Sequence, residues 1–233
     1  MPRPRVIAHR GASAERPENT RTAYALAVEQ GADMIEIDLH LTRDGHIVIR
    51  HDGALAGVGP IAQASLAAVR QVDAGQGERV PTLPEVLESF GEQIPFNLEL
   101  KRGAQGPYVG MERAALRCVE ALGLGEQTLF SSFYDPVLRT LRACSASARI
   151  ALLISRRFPQ GWSERARGLG AEALNPEVPL VDGELVARAH GEGLRVNPYT
   201  VEDPDEMERL LDLGVDGLFT NHPSRLRGIV DRR

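Results

Sequence analysis

Short runs of apolar residues recur along the chain, each followed by a longer stretch in which apolar residues return every three or four positions. The first pattern is that of a buried strand, the second that of an amphipathic helix. Strands are expected at 6–9, 34–42, 47–51, 96–101, 129–133, 150–154, 173–176, 195–199 and 217–220. Helices are expected near 20–30, 83–90, 110–122, 136–144, 163–168, 183–193 and 204–213. The run 47–51 follows its predecessor too closely to leave room for a helix. The intervening Arg43-Asp44-Gly45 is a turn, so these two strands form a hairpin. About eight strands then remain in βα alternation.

Three helical stretches end in a similar way, at Gly31-Ala32-Asp33, Gly170-Ala171-Glu172 and Gly214-Val215-Asp216. Glycine can take the left-handed conformation that ends a helix, so each triplet reads as a short αβ turn. Repeated turns of this kind in a βα alternation predict an α/β protein of the closed (β/α)8, or TIM barrel, type rather than an open sheet. A chain of 233 residues suits one such barrel, for which about 250 is typical, so residues 1–233 are expected to be one domain. The stretch 52–81 shows neither period and is rich in Gly and Ala. It is expected to be a small irregular insertion, a lid over the barrel mouth.

Composition narrows the partners. The net charge is −5, with 27 Lys and Arg scattered among 32 Asp and Glu, which argues against nucleic acid. No Gly-rich phosphate loop follows any strand, which argues against nucleotides. No apolar run reaches the ~18 residues of a membrane span, and the N-terminus has no signal-like apolar core, so a cytoplasmic location is expected. Cys118 and Cys144 lie in helical stretches without CxxC spacing and are expected to be inert core residues.

The chemistry concentrates between Val6 and Asp52. Residues 35–42 alternate strictly, with Glu36, Asp38, His40 and Thr42 on one side of the strand. Such i, i+2 carboxylates stand roughly 7 Å apart and repel each other unless solvent screens them or a cation sits between them. His9-Arg10-Gly11 ends the first strand, His51-Asp52 ends the hairpin strand, and Phe96 to Lys101 puts Glu99 and Lys101 on one face. Charged groups at the C-terminal ends of several strands mark an α/β active site.

These residues, with Pro17-Glu18-Asn19-Thr20, Thr42-x-Asp44-Gly45 and Pro81-Thr82-Leu83, resemble the glycerophosphodiester phosphodiesterase family in order and spacing over the first hundred positions. Weaker similarity continues through Tyr199-Thr200-Val201 and Asp216-Gly217-x-x-Thr220-x-x-Pro223. The resemblance implies a (β/α)8 barrel with one divalent metal at its C-terminal face. It also implies metal-dependent hydrolysis of small-molecule glycerophosphodiesters to glycerol 3-phosphate and an alcohol. In that family the substrate's own glycerol hydroxyl is the nucleophile and a cyclic phosphate the intermediate. The chain departs from the pattern after Asp52, where an Arg-Thr-Gly-type stretch is missing. It also has Tyr199 where Trp is frequent and Asn221 where Asp is frequent. The departures are expected on the rim that contacts the alcohol. A lysophospholipase D-like activity on the same fold is the alternative. A non-catalytic phosphate-binding domain should have lost a histidine or a carboxylate, and none is missing.

Within this frame Glu36, Asp38 and Glu99 supply hard oxygen ligands suited to Mg²⁺ or Ca²⁺ rather than to zinc. Arg10 offers a fork of donors to a phosphate and Lys101 a point charge beside it. His9 and His51 are the expected acid and base, since imidazole titrates near pH ~6.5. No G-x-S-x-G motif supplies a serine nucleophile. Asn19 is expected to cap the helix after it, with Thr20 as substitute and a contact to the site as a secondary role. Tyr199, Ser131, Ser132, Asn175 and Asn197 are expected to line the pocket. His40 is expected at its rim or just behind the residues that line it, His46 and His190 in solvent, and His222 in a loop.

Overall fold

The computed structural model describes residues 3–104 and 106–233. Eight strands run parallel: β1 (Arg5–His9), β2 (Met34–Leu41), β3 (Phe96–Leu100), β4 (Thr128–Ser132), β5 (Arg149–Ile154), β6 (Ala173–Pro176), β7 (Arg195–Val196) and β8 (Gly217–Thr220). Their order in the sheet follows the chain from β1 to β7, with β8 on the other side of β1. The ring closes where the Asp216 and Phe219 amides donate to the carbonyls of Val196 and Pro198, at 2.9 and 3.0 Å. The fold is a (β/α)8 barrel. The strand Ile47–Ile49 pairs antiparallel with β2 as the hairpin partner that the turn requires.

Around the barrel lie α1 (Arg21–Glu29), α2 (Leu66–Val69), α3 (Leu83–Phe90), α4 (Met111–Ala121), α5 (Asp135–Cys144), α6 (Trp162–Leu169), α7 (Gly183–Gly191), α8 (Pro204–Asp212) and α9 (Pro223–Val230). Helix α9 was not expected from the pattern. It opens on Pro223, has no side-chain cap bond and contains Gly228, so local signals are weak. Burial of Leu226, Ile229 and Val230, spaced i, i+3, i+4, holds it against the barrel. Among the described residues no helix is long and apolar enough to cross a membrane.

The three turn glycines take positive φ as their position demands: +75° at Gly31, +60° at Gly170 and +83° at Gly214. The acids that follow have a purpose the sequence alone did not reveal. The Asp33 carboxylate accepts from the Val6 amide at 2.8 Å, and that of Asp216 from the Val196 amide at 2.8 Å. Each satisfies a donor at the start of a neighbouring strand. Glu172 instead pairs with Arg149 and Arg195.

Alternation along the strands sorts side chains between helices and barrel interior. Ile35, Ile37 and Leu39 of β2 belong to the main core beneath the helices, while Glu36, Asp38 and His40 lie on its other face. Ile7, Met34, Leu129, Ala151, Ala173 and Phe219 form an apolar interior cluster. A polar layer follows, where Asn97 donates to Ser131 at 2.9 Å and Asn197 to Asn175 at 3.1 Å. Ser132 donates to the Leu100 carbonyl at 2.8 Å. Ser131, Ser132, Asn175 and Asn197 are thus buried barrel residues and not pocket lining, each bonded to a neighbouring strand, although Asn175 Nδ2 is left without a partner.

Residues 52–81 fold into two short hairpins, a 3₁₀ turn and α2. Leu55, Ile61, Ala64, Val69 and Val80 form a small core of their own with Val48. The cysteines differ from expectation. Both are free; Cys118 is half-buried and Cys144, at the end of α5, is exposed. Only one face of an amphipathic helix is buried, and Cys144 falls off it.

Candidate active site

Strand register assembles the charged residues. His9 is level with Glu36 across β1 and β2, and Asp38 is level with Glu99 across β2 and β3. Adjacent strands lie about 4.8 Å apart, so side chains two residues apart on one strand and opposite on the next converge. The hairpin turns the chain back, with the Arg50 amide bonded to the Asp38 carbonyl at 3.0 Å, and delivers His51 to the same end. His9, Glu36, Glu99 and His51 line a cavity of about 190 Å³ at the C-terminal ends of the strands, together with Lys101, Tyr199 and Phe133, while Asp38 is fully buried beside them. No residue of 52–81 is among those lining it. A larger recess of about 440 Å³ lies outside the barrel against α3 and α4 and carries none of these groups.

Glu36, Asp38 and Glu99 each offer an oxygen, and the three oxygens lie within 4.8 Å of one another. Asp38 has a cation beside each of its oxygens. It sits 2.7 Å from Lys101 Nζ and 3.1 Å from Arg10 Nε, and it accepts from Asn19 Nδ2 at 2.8 Å. Burial alone would push its carboxyl up, but Lys101 and Arg10 hold it down at about 2. Glu36 is not satisfied. Its Oε2 accepts from the Arg10 amide at 3.1 Å, while its buried Oε1 has no partner. Burial, and next the charge of Asp38, push its carboxyl well above the ordinary range. Burial likewise raises Glu99, although Lys101 Nζ lies 2.6 Å from its Oε1. The site lacks one positive charge, and the lack is sharpest at Glu36. An oxygen-liganded divalent cation fits this donor set.

His9 Nδ1 is 2.7 Å from Asn221 Oδ1, an oxygen that can only accept. The proton therefore sits on Nδ1, leaving the Nε2 lone pair 4.0 Å from Glu36 Oε2. Burial, then the Arg10 charge, lowers His9 to about 4, so the ring is neutral at rest. Asn221, which also accepts from Ser13 at 2.8 Å, lies behind His9 and not on the rim where its departure from Asp was expected to act. His51 Nδ1 pairs with Asp52 at 2.9 Å, and its side chain is 40% exposed. Tyr199, as expected, lines the cavity; its hydroxyl donates to the Ile154 carbonyl at 2.9 Å.

Two residues flank this arrangement in left-handed backbone, Arg10 at φ +59° and Asn19 at φ +58°. Asn tolerates that region and Arg does so at a cost, which places Arg10 among strained residues of the kind that gather at sites. Gly11, at φ +85°, admits nothing larger: a Cβ there would stand 2.7 Å from the Ala23 carbonyl carbon. The turn lets Arg10 reach Asp38 and also Glu18, at 2.7 Å. The helix cap is Thr20, which accepts from the Ala23 amide, and not Asn19. Asn19 is bent out of cap geometry and spends its amide on Asp38.

Of its two expected places, His40 takes the one behind the site residues and not the rim. It is buried behind His51, with Nε2 3.1 Å from the His51 carbonyl and Nδ1 2.7 Å from the Tyr108 hydroxyl. A neutral imidazole has one donor, so Nε2–H donates to His51 and the Tyr108 hydroxyl donates to Nδ1. Tyr108 thus braces His51 through His40. Tyr108→Phe should lower kcat about 2- to 10-fold, the equivalent of one hydrogen bond of roughly 0.5–1.5 kcal/mol, with KM near the parent value. An unchanged kcat would mean that the pair merely packs the loop. His46 is exposed, His190 pairs with Asp216 at 2.8 Å and His222 with Glu202 at 3.2 Å.

The model of the glycerophosphoryl diester phosphodiesterase family matches residues 9–225. A glycerophosphodiester phosphodiesterase of Caldanaerobacter subterraneus subsp. tengcongensis is 35% identical, the match covering 97% of each chain. One from Bacillus subtilis is 32% identical over 94% of this chain and 83% of the relative. A solved phosphodiesterase from Oleispira antarctica, in complex with the product sn-glycerol-3-phosphate, superposes with a TM-score of 0.84 at 31% identity, covering 98% of this chain and 97% of that one. The match runs from the histidine that ends β1 to the start of α9, with one barrel and near-complete coverage on both sides. The chain belongs to the glycerophosphoryl diester phosphodiesterase family and is an enzyme of that activity.

Proposed function

We propose that this enzyme cleaves glycerophosphodiesters to glycerol 3-phosphate and an alcohol with one divalent cation, Mg²⁺ or Ca²⁺, held by Glu36, Asp38 and Glu99, and with His9 and His51 moving the protons. The observation that carries the reading is the buried, unpartnered Glu36 Oε1 inside a cluster of three carboxylates. A phosphodiester resists hydrolysis because its charge repels nucleophiles and its alkoxide leaves poorly. When bound, the cation supplies Lewis-acid stabilisation of a phosphoryl oxygen. Arg10 and Lys101 line the same cavity and add positive charge for the phosphate. The fixed Nδ1–H of His9 leaves Nε2 as the atom that exchanges a proton, and the Asp52 carboxylate orients His51 through its Nδ1. Product binding by the Oleispira relative supports a glycerol phosphate in the corresponding cavity.

The test is a panel of glycerophosphodiesters assayed after chelation and after adding back Mg²⁺ or Ca²⁺. Glycerol 3-phosphate should appear only with the cation. Full turnover in the stripped protein would remove the metal from the reading.

A further inference from the structure

We propose that the groove beside the catalytic cavity seats the leaving alcohol and selects alcohols that carry a second anionic group. The inference rests on the glycerophosphodiesterase reading above and specifies its substrate class. The groove has a volume of about 580 Å³ and is formed by residues 133–136, after β4, and residues around 155–160, after β5. It therefore opens on the barrel face that holds the histidines and carboxylates. Phe133 lines both the groove and the catalytic cavity, so the two adjoin at this side chain.

Arg157 lines the groove with its guanidinium on one aromatic wall, and Arg102, outside the lining, stacks on the other. Arg157 Cζ lies 5.4 Å from the Phe158 ring centroid, and Arg102 Cζ 4.7 Å from that of Tyr134. Among the described residues, neither arginine has a carboxylate within ion-pair distance or a side-chain hydrogen bond. The one acid lining the groove, Asp135, is already taken by Arg165 at 2.8 Å. Phe158 is 58% exposed. An exposed aromatic wall under the unneutralised Arg157, with Arg102 stacked next to it, would repel the quaternary ammonium of choline. It would give a neutral polyol only contact with the rings. A phosphate on the alcohol would instead gain forked, charge-assisted hydrogen bonds. A flat cationic and aromatic patch could also meet an anionic membrane surface, but a concave groove adjoining the cavity at Phe133 favours a substituent of the substrate itself.

The experiment compares kcat/KM for glycerophosphoinositol 4-phosphate, glycerophosphoinositol and glycerophosphocholine in the cation-loaded enzyme, at low and high salt. The first two differ only by the extra phosphate. A preference of about tenfold or more for the phosphorylated alcohol is expected, as one charged hydrogen-bond pair would give. It should shrink with salt and fall to about twofold in Arg157→Gln. Equal turnover of the two inositol esters would overturn the proposal, as would a preference that survives in both Arg157→Gln and Arg102→Gln. So would stimulation by anionic vesicles without any preference among alcohols. Failure to turn over any of the three would count instead against the proposed function.

Discussion

Replacing either His9 or His51 by Ala will lower kcat on glycerophosphocholine by about 10²- to 10⁴-fold, the usual contribution of a positioned acid or base. The two losses should separate when the leaving group is changed. An alkoxide such as that of choline leaves slowly unless it is protonated, whereas a nitrophenolate needs little help. On a nitrophenyl ester of glycerol 3-phosphate, the variant that lacks the acid should regain much of its rate, and the variant that lacks the base should stay slow. His9 enters the comparison as a neutral ring, its Nδ1 proton held by Asn221 and its Nε2 free. His51 enters it beside the carboxylate of Asp52. If the two variants showed equal losses on both esters, or if either kept the parent rate on the choline ester, the paired acid–base assignment would fall.

Glu36→Gln should make the metal-free protein more stable and the loaded one nearly inactive. Removing one of three charged ligands removes several kcal/mol of cation-dependent stabilisation of the transition state, at least about 10²-fold in kcat/KM. The stability effect follows from proton linkage. In the folded, cation-free protein the raised Glu36 carboxyl holds its proton above the pH, about 4.3, at which the unfolded chain releases it. The folded state then binds more protons, so this contribution is fully present below about pH 4.3 and is lost as pH rises toward the folded value. Asp38 acts the other way. Its folded value of about 2 lies under the unfolded value of about 3.9, so its contribution is present above about pH 3.9 and is lost as pH falls through about 2. His9, lowered to about 4, works the opposite way up to about pH 6.5, so the readout is a difference. In chelator the Tm of Glu36→Gln relative to the parent should rise from pH 5 to pH 8. Mg²⁺ or Ca²⁺ should raise the parent Tm more at pH 8 than at pH 5. A Tm gap between Glu36→Gln and the parent that did not widen over that range in chelator, with no response of the parent to cation, would falsify the assignment of Glu36 to a cation.

Much of the site was legible because it lies on regular strands. The alternation from Ile35 to Thr42 fixed which side chains share a face, and a barrel leaves that face only one place to point. Glu36 and Asp38 therefore belong to the interior whatever the neighbours do. The turn glycines were legible for a similar reason, since a positive φ at the end of a helix is a local demand. Asn19 was misread as a cap because its type suits one, while its actual bond to Asp38 spans 19 residues of sequence.

What the sequence by itself determined was the βα alternation, the hairpin after β2 and the set of charged residues that end the first strands. Periodicity is a local property, and hydrophobic burial enforces it strand by strand. Which group stands behind which was decided only by the tertiary structure. The partner of His9 is 212 positions away, and it arrives because β8 closes the ring beside β1. The brace on His51 comes from Tyr108, 68 residues beyond His40, in a loop with no period to read. The orphaned oxygen of Glu36 is likewise a property of the closed barrel, where water is excluded and each partner is fixed by register.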